Sequence, residues 1–358
     1  MERSRFYKFF PPLQFLQMPT VGLDISDASM RFVELIEKQK GFEIGRFGER
    51  AIPRGIIESG EVKKVDELRA IFADIKKTYG LEFVAVSLPE EQAYLFDLKL
   101  PLMKHSEVRG AIELLLEEQI PLKASETLFD YEIEEETEKG IQVSVSAVPR
   151  ILVEGYLEAF SASGISPVVF EIEAQSIARA VVPEGYKEPC LIVDFGKTRS
   201  GIAIISDGRV EFTSTIPVGG DSLTDAIAKN LKVSHSEAEK IKRGKGIVGI
   251  SDNEDLSLAL ISSVSVLRDE ATRHLSYWKN HRDEFEKTHK EIQKIYLCGG
   301  DSNLSGLAEY LSLGLSVPAE LANTLINVNT LDGYVPEIDF NNSLRYATAI
   351  GLALRRLQ

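Results

Sequence analysis

The feature that most restricts how this chain can fold is the stretch from Cys190 to Gly220, CLIVDFGKTRSGIAIISDGRVEFTSTIPVGG. An apolar run ends in Asp194, turns at Gly196, returns as a second apolar run and turns again at Asp207-Gly208 into a third. Asp-Gly between β-branched runs signals a hairpin, because the central residues of its tight turn need positive φ. The first bend has the means to hold a phosphate. Backbone N–H groups crowd into the turn, Thr198 and Ser200 add donors, and Asp194 stands where a carboxylate holds Mg2+ directly or through water. The same grammar opens the chain, where GLDISDASMRFVELIEKQKGFEI places Asp24, Ser26 and Ser29 at an equivalent bend. Two such hairpins predict duplicated lobes around a cleft.

The 358 residues suffice for two lobes with proper cores, and 44% of them are apolar. A net charge of −14 argues against a general nucleic-acid surface, which needs clustered Lys and Arg facing one way. Cys190 and Cys298 stand apart at the ends of apolar strands, and read as reduced core thiols. No apolar run reaches the roughly 18 residues of a membrane span and no signal-peptide pattern is present, so the expected location is the cytoplasm.

Residues 1–20 are set off by Arg3, Arg5 and Lys8 among Phe6, Tyr7, Phe9, Phe10 and Phe15, with Pro11-Pro12 breaking any helix. Two readings stay open: a basic, aromatic anchor for a lipid surface or partner, giving peripheral membrane association, or an arm packed on its own domain. From Val21 the order is three strands, a helix over 64–79 and the core strand FVAVSLP. Residues 93–149 differ in texture: a strand, a helix over 106–118, and a hairpin with an acidic tip at Glu134 to Glu138, read as solvated. Then come a helix ending near Gly164, the strand SPVVFEIE and the helix AQSIARAVV. After the double hairpin, a helix starts at Gly219-Gly220 with Asp221 and Ser222 available as caps, and another starts at Ser234 or Ser236 and stops at Gly244. A long helix over 255–286 carries His274, Trp278 and Phe285 on its core stripe. A strand, the turn Gly299-Gly300, a helix and a terminal helix in SLRYATAIGLALRRL complete the chain. The expected division is 1–20 as an arm, 21–92 with 150–189 as the first lobe, 93–149 as a small inserted α/β subdomain, and 190–358 as the second lobe.

Three glycine turns, DFGKTRS, VGGDS and CGGDS, follow strands or open helices. Their order, with two Asp-bearing hairpins and the helix AEKIKR between them, resembles the nucleotide-binding series of the actin and sugar-kinase ATPase superfamily. Within it, VSLPEEQAYLFDLKLP, AIELLLEEQIPL, FDYEI, VSVSAVPR and ASGISPVVFEIEAQSIARA most resemble the PilM family of type IV pilus machinery, itself similar to the division protein FtsA. The resemblance runs from about Val21 to Leu357. It implies a two-lobed, actin-like (ribonuclease H-like) ATPase fold with the insert in the first lobe.

Carried over residue by residue, Asp24 resembles the Mg2+-facing aspartate of the first phosphate loop, completed by Ser26, Asp27 and Ser29. That loop departs from the pattern, since Ser26 replaces a glycine and Asp27 adds a second carboxylate. The second loop fits better, with Asp194, Gly196, Thr198 and Ser200 in place and Lys197 either neutralising phosphate or pointing to solvent. Glu173 resembles a residue that orients water near the γ-phosphate, and its other reading is a helix-start acid. Glu239, Lys242 and Arg243 resemble a nucleoside-contacting helix, Gly219 and Gly220 a phosphate-side pair, and Gly299, Gly300, Asp301 and Ser302 an adenosine loop.

The resemblance implies a scaffold that binds ATP with Mg2+ and the N-terminal cytoplasmic tail of a PilN-like inner-membrane protein, held at the inner membrane through that and other pilus assembly proteins. Self-association stays open. Asp24, Asp194 and Glu173 are the expected catalytic set, with Asp24 and Asp194 facing the metal. No arginine is obvious for charge stabilisation, so hydrolysis is expected to be slow or absent. The alternatives are a nucleotide-free actin-like adaptor and, less favoured, a small-molecule kinase of the same superfamily.

Overall fold

A computed structural model describes residues 21–38, 41–247, 254–280, 289–329 and 334–355. The arm at 1–20 and the Phe285 end of the long helix lie outside the described residues. In chain order the elements are β1 (Val21–Ile25), β2 (Ser29–Lys38), β3 (Gly41–Ala51), β4 (Ile57–Glu58), β5 (Glu61–Val62), α1 (Val65–Tyr79) and β6 (Phe83–Leu88). The insert follows as β7 (Tyr94–Leu100), α2 (His105–Gln119), β8 (Thr127–Thr137) and β9 (Gly140–Pro149), and then α3 (Arg150–Phe160), β10 (Ser166–Ile172) and α4 (Glu173–Val181). Next come β11 (Cys190–Phe195), β12 (Ser200–Ser206), β13 (Arg209–Ile216), α5 (Gly220–Leu231), α6 (His235–Lys245) and α7 (Glu254–Asn280). The chain continues with β14 (Lys294–Cys298), α8 (Leu307–Leu315), β15 (Ala319–Leu321), α9 (Phe340–Ser343) and α10 (Ala347–Leu354).

The duplication expected from the two hairpins is present in the strand order. One sheet runs β10-β6-β1-β2-β3 and the other β13-β12-β11-β14-β15. In each, three antiparallel strands from a double hairpin are extended by parallel strands on the far side of the first one. Asp24 and Asp194 both lie near the C-terminal end of the central strand of their sheet, where crossover connections leave a crevice. Asp207 and Gly208 both have positive φ, 51° and 78°, as the tight hairpin turn requires.

Helices α4 and α10 fill the layer between the sheets. Ala174, Ile177, Val181, Ala349 and Ile350 pack there against Val33 of one sheet and Cys190, Ile192 and Cys298 of the other. Both cysteines are buried and free, as their strand positions suggested. This layer is thin because its contacts are backbone to backbone. A Cβ on Gly351 would overlap the Ser176 carbonyl, and one on Gly22 would overlap the Ala349 carbonyl. The terminal helix thus packs on β1 of the first sheet. The outer faces are covered by α1 and α3 on one side and by α5, α7 and α8 on the other.

The insert is a three-stranded sheet, β7-β9-β8, whose inner face meets Val108, Ile112 and Leu116 of α2. Its acidic hairpin tip is not wholly solvated. The Glu134 side chain is only 6% exposed and pairs with Arg209 of β13 at 2.6 Å, so the insert touches the second lobe directly. Two local expectations shift and one open choice is settled. Helix α5 begins with Gly219 as N-cap and no side-chain cap, α6 takes Ser234 as its cap, and α6 runs past Gly244 to stop at Gly246, whose φ is 64°.

The two kinds of glycine environment predict opposite outcomes. Gly351→Ala forces a methyl into backbone and should lower stability by roughly 1–3 kcal/mol. Gly110, inside α2 with nothing within 4 Å of an added Cβ, should tolerate alanine with a gain of roughly 0.5–1 kcal/mol. Urea denaturation of the two variants beside the parent chain checks both signs.

Candidate functional site

The two hairpin bends, the end of β6 and the start of α4 converge, and each brings a carboxylate. Asp24 accepts a hydrogen bond from Ser87 Oγ at 3.1 Å, and Ser87 in turn accepts from the Ile25 amide at 3.0 Å. Arg31 lies opposite Asp24 in the sheet and Glu49 opposite Arg31, so the three form a cross-strand row, with Arg31 Nη1 3.8 Å from Asp24 and Nη2 2.9 Å from Glu49. Arg345 joins the row from the C-terminal side at 2.9 Å from Glu49. Burial pushes the Asp24 carboxyl up, against the pull of Arg31 and Ser87.

Asp194 pairs across the ladder with Gly201. Gly299, at φ 91°, packs so closely on the Asp194 carboxylate that no side chain fits there. Burial, reinforced by the Asp24 charge, raises Asp194 to about 6. Glu173, the first residue of α4, is pushed well above the usual carboxylate range by burial, with Arg199 opposing. Glu90, just after β6, was not singled out in the sequence. It is buried with Oε1 unpartnered, and burial together with the nearby Asp194 raises it to about 8.

The arginine that was not evident in the sequence is Arg199. It leaves the second hairpin bend and crosses to the first lobe, with Nη1 2.7 Å from Glu91 and 3.4 Å from Asp27, and Nη2 3.9 Å from Glu173. Lys197 and Thr198 beside it are exposed. Asp27, the unexpected acid of the first bend, is therefore not an unpaired charge. Its oxygens also accept from the Ser59 and Gly60 amides at 3.1 and 2.9 Å, and the Tyr156 hydroxyl holds the Gly60 carbonyl at 2.8 Å. Ser26 and Ser29 spend their hydroxyls on each other and on the bend's backbone, and Ser200 Oγ donates to Val218 O.

A second group gathers beyond Gly299. Lys242 is buried and its ammonium lies 2.6 Å from Asp301, 2.9 Å from Glu239 and 3.1 Å from the Gly220 carbonyl. Burial opposes ionisation of Glu239, yet hydrogen bonds from Lys242, Thr224 and Arg243 hold it down at about 2. Arg243 reaches outward, 2.7 Å from Glu239. Ser302 Oγ closes on the Cys298 carbonyl, and Gly300 faces Arg345. The first amides of α5 are already engaged: Gly220 N donates to Gly196 O at 3.0 Å and Asp221 N to Lys197 O at 2.8 Å. A Cβ on Gly219 would sit 2.5 Å from the Lys197 carbonyl, so the glycine pair lets α5 seat directly on the second bend.

Among the described residues, no group of three or more His, Cys, Asp and Glu side chains is arranged to hold a metal by itself, and no helix is long and apolar enough to cross a membrane. A cation at Asp24 and Asp194 would complete its shell with water and ligand oxygens, which is how Mg2+ is held beside phosphates. The oxygen donors, the unpartnered Glu90 oxygen and the two glycine approaches fit such a group.

A family model described as type IV pilus assembly protein PilM matches residues 22–357. Among solved structures, a PilM-PilN type IV pilus biogenesis complex superposes with a TM-score of 0.79 at 23% identity, covering 94% of this chain and 98% of that one. MreB 5 of Spiroplasma citri bound to AMPPNP superposes with a TM-score of 0.55 at 14% identity, covering 88% and 95%. The cell division protein FtsA of Agrobacterium fabrum is 24% identical over 193 residues, which are 48% of this chain and 39% of that protein. The chain thus matches less than half the length of such curated relatives. The two-lobed α/β architecture is the actin-like ATPase fold.

The raised carboxyls carry a pH signature. Glu90 ionises near 4.5 when unfolded and near 8 when folded, so its contribution to stability is complete below pH 4.5 and is lost as pH rises towards 8. Glu90→Gln removes that loss. At pH 8 the variant should be more stable than the parent by roughly 1–3 kcal/mol, and the difference should shrink towards pH 5. Thermal or urea melts across pH 5 to 8 read both.

Proposed function

Because the chain belongs to the type IV pilus assembly protein PilM family, we propose that it is a nucleotide-gated scaffold of a pilus or related secretion machine. In this reading it binds ATP with Mg2+ between its lobes and the N-terminal tail of a PilN-like inner-membrane protein on the first lobe and insert. The observation that carries the reading is that the family match extends over both lobes and the insert together, with both hairpin bends intact. The PilM neighbour was solved with PilN, and an MreB neighbour with AMPPNP.

Asp24 and Asp194 would hold the metal, which would offset the negative charge of the phosphates. Asp24 keeps its orientation through Ser87 and Arg31, and Asp194 through the close approach of Gly299. The Lys242, Glu239, Asp301 and Gly220 group would take the nucleoside side. Glu173 stands at the helix start where it could orient water, and burial pushes its carboxyl well above the usual carboxylate range. Arg199 is already engaged by three carboxylates. The expectation is slow hydrolysis or none, with the nucleotide serving to hold the lobes together. At the membrane the protein would be held through its partner.

Two titrations test this. Millimolar Mg-ATP should raise the melting temperature by several degrees, since a ligand at about 100 times its Kd adds about 2.7 kcal/mol. Calorimetry with a synthetic PilN-like N-terminal peptide should show binding that tightens when Mg-ATP is present. No melting shift would leave the nucleotide-free adaptor, and no peptide binding in either condition would remove the scaffold itself.

A further inference from the structure

We propose that Arg199 is a cross-cleft latch that exchanges first-lobe carboxylates for the terminal phosphate of a bound nucleoside triphosphate, and so distinguishes triphosphate from diphosphate. The inference rests on the nucleotide-binding reading above and assigns a residue that reads the ligand's state.

Arg199 belongs to the second lobe, but its partners belong to three separate elements of the first: Asp27 in the β1–β2 bend, Glu91 after β6 and Glu173 at the start of α4. It therefore ties the lobes. The tie is loosely made. Only the Glu91 contact, at 2.7 Å, is short, while those to Asp27 and Glu173 are 3.4 and 3.9 Å. A guanidinium binds most strongly through a planar, two-pronged fork, and Arg199 makes none with these three acids.

Arg179 shows what a fixed arginine looks like in the same protein. Its Nη1 and Nη2 reach the two oxygens of Glu171, and Nη1 also donates to the Gly351 carbonyl at 2.8 Å. Arg199 keeps donors unused by comparison, and a phosphate with several oxygens at the right height satisfies them better.

Release of Arg199 also leaves its partners provided for. Asp27 retains the Ser59 and Gly60 amides. Glu173 makes only the longest of the three contacts, at 3.9 Å, and loses least by the exchange. Only Glu91 is left without its short contact, and it is an exposed residue with water at hand.

The position favours the end of a phosphate chain. The Lys242 group joins the second bend through Gly220, whose amide donates to Gly196 O, Asp194 is abutted by Gly299, and Arg199 leaves the bend towards the first lobe. On this reading a ligand with its nucleoside towards Lys242 and its metal at Asp24 and Asp194 brings its terminal phosphate to Arg199, and a diphosphate lacks that group.

Calorimetry with ADP and with AMPPNP, each with Mg2+, on the parent chain, Arg199→Ala and Asp27→Asn tests the proposal. The parent should prefer the triphosphate by about tenfold, the worth of one charge-assisted hydrogen bond. Arg199→Ala should erase that preference. Asp27→Asn, which frees the guanidinium and keeps its charge, should widen it, a direction that misfolding does not produce. In ligand-free protein, hydrogen exchange at residues 26–29 and 90–92 should be faster in Arg199→Ala than in the parent. A parent that binds both nucleotides, with a preference unaltered by either substitution, overturns the latch alone. A parent that binds neither overturns the latch and the nucleotide reading together.

Discussion

Four carboxyls, Asp24 and Glu90 buried and Glu173 and Asp194 half-buried, converge where the two lobes meet, and the rest of the molecule is arranged around that charge problem. A carboxylate taken out of water must be paired, hydrogen-bonded or protonated. The protein uses all three remedies. Asp24 has Arg31 and Ser87, Glu90 and Glu173 are pushed towards the neutral form, and Arg199 is brought across the cleft as a shared counter-ion. A concentration of raised carboxyls at strand ends is poorly explained by stability and marks a candidate functional site.

The mechanical counterpart is the helix layer between the sheets. Gly22, Ser176, Ala349 and Gly351 let α10 touch α4 and β1 backbone to backbone, so the lobes share a rigid seam behind a mouth whose closure rests on charge. The connection from mouth to insert is short. Strand β12 starts beside Arg199, and Arg209 follows at the start of β13 to hold Glu134 of the insert. Glu211, next along β13, is raised to about 7 by burial, with Asp97 and Glu134 opposing its ionisation. A change at the cleft thus has a continuous covalent path to the surface proposed to hold the partner.

Much of this was legible in the sequence for local reasons. Asp207-Gly208 dictates its turn, the 64–79 periodicity becomes α1 at Val65–Tyr79, and the insert appears as strand, helix, strand, strand because period-two and period-3.6 patterns are properties of neighbouring residues. Asp24 and Asp194 stood out because each ends an apolar strand before a bend. The errors were local too. Asp221 and Ser222 are good capping residues, but α5 docks on the second bend through Gly219, where any side chain would collide with Lys197. Gly244 is a fair helix stop by composition, and Gly246 is the residue with positive φ.

By itself the sequence determined the element types, the duplicated hairpins and the family, since these follow from hydrophobic period, turn chemistry and ordered motifs. Only the tertiary structure decided which charges meet. Lys197 and Arg199 stand two residues apart in one bend, and nothing in their spacing tells which is used. The seat of α5 on the bend leaves Lys197 exposed and sends Arg199 across to Asp27, Glu91 and Glu173. Glu90 was hidden for the same reason: an acid after a strand is ordinary in sequence and consequential only once a second lobe covers it and takes its water away.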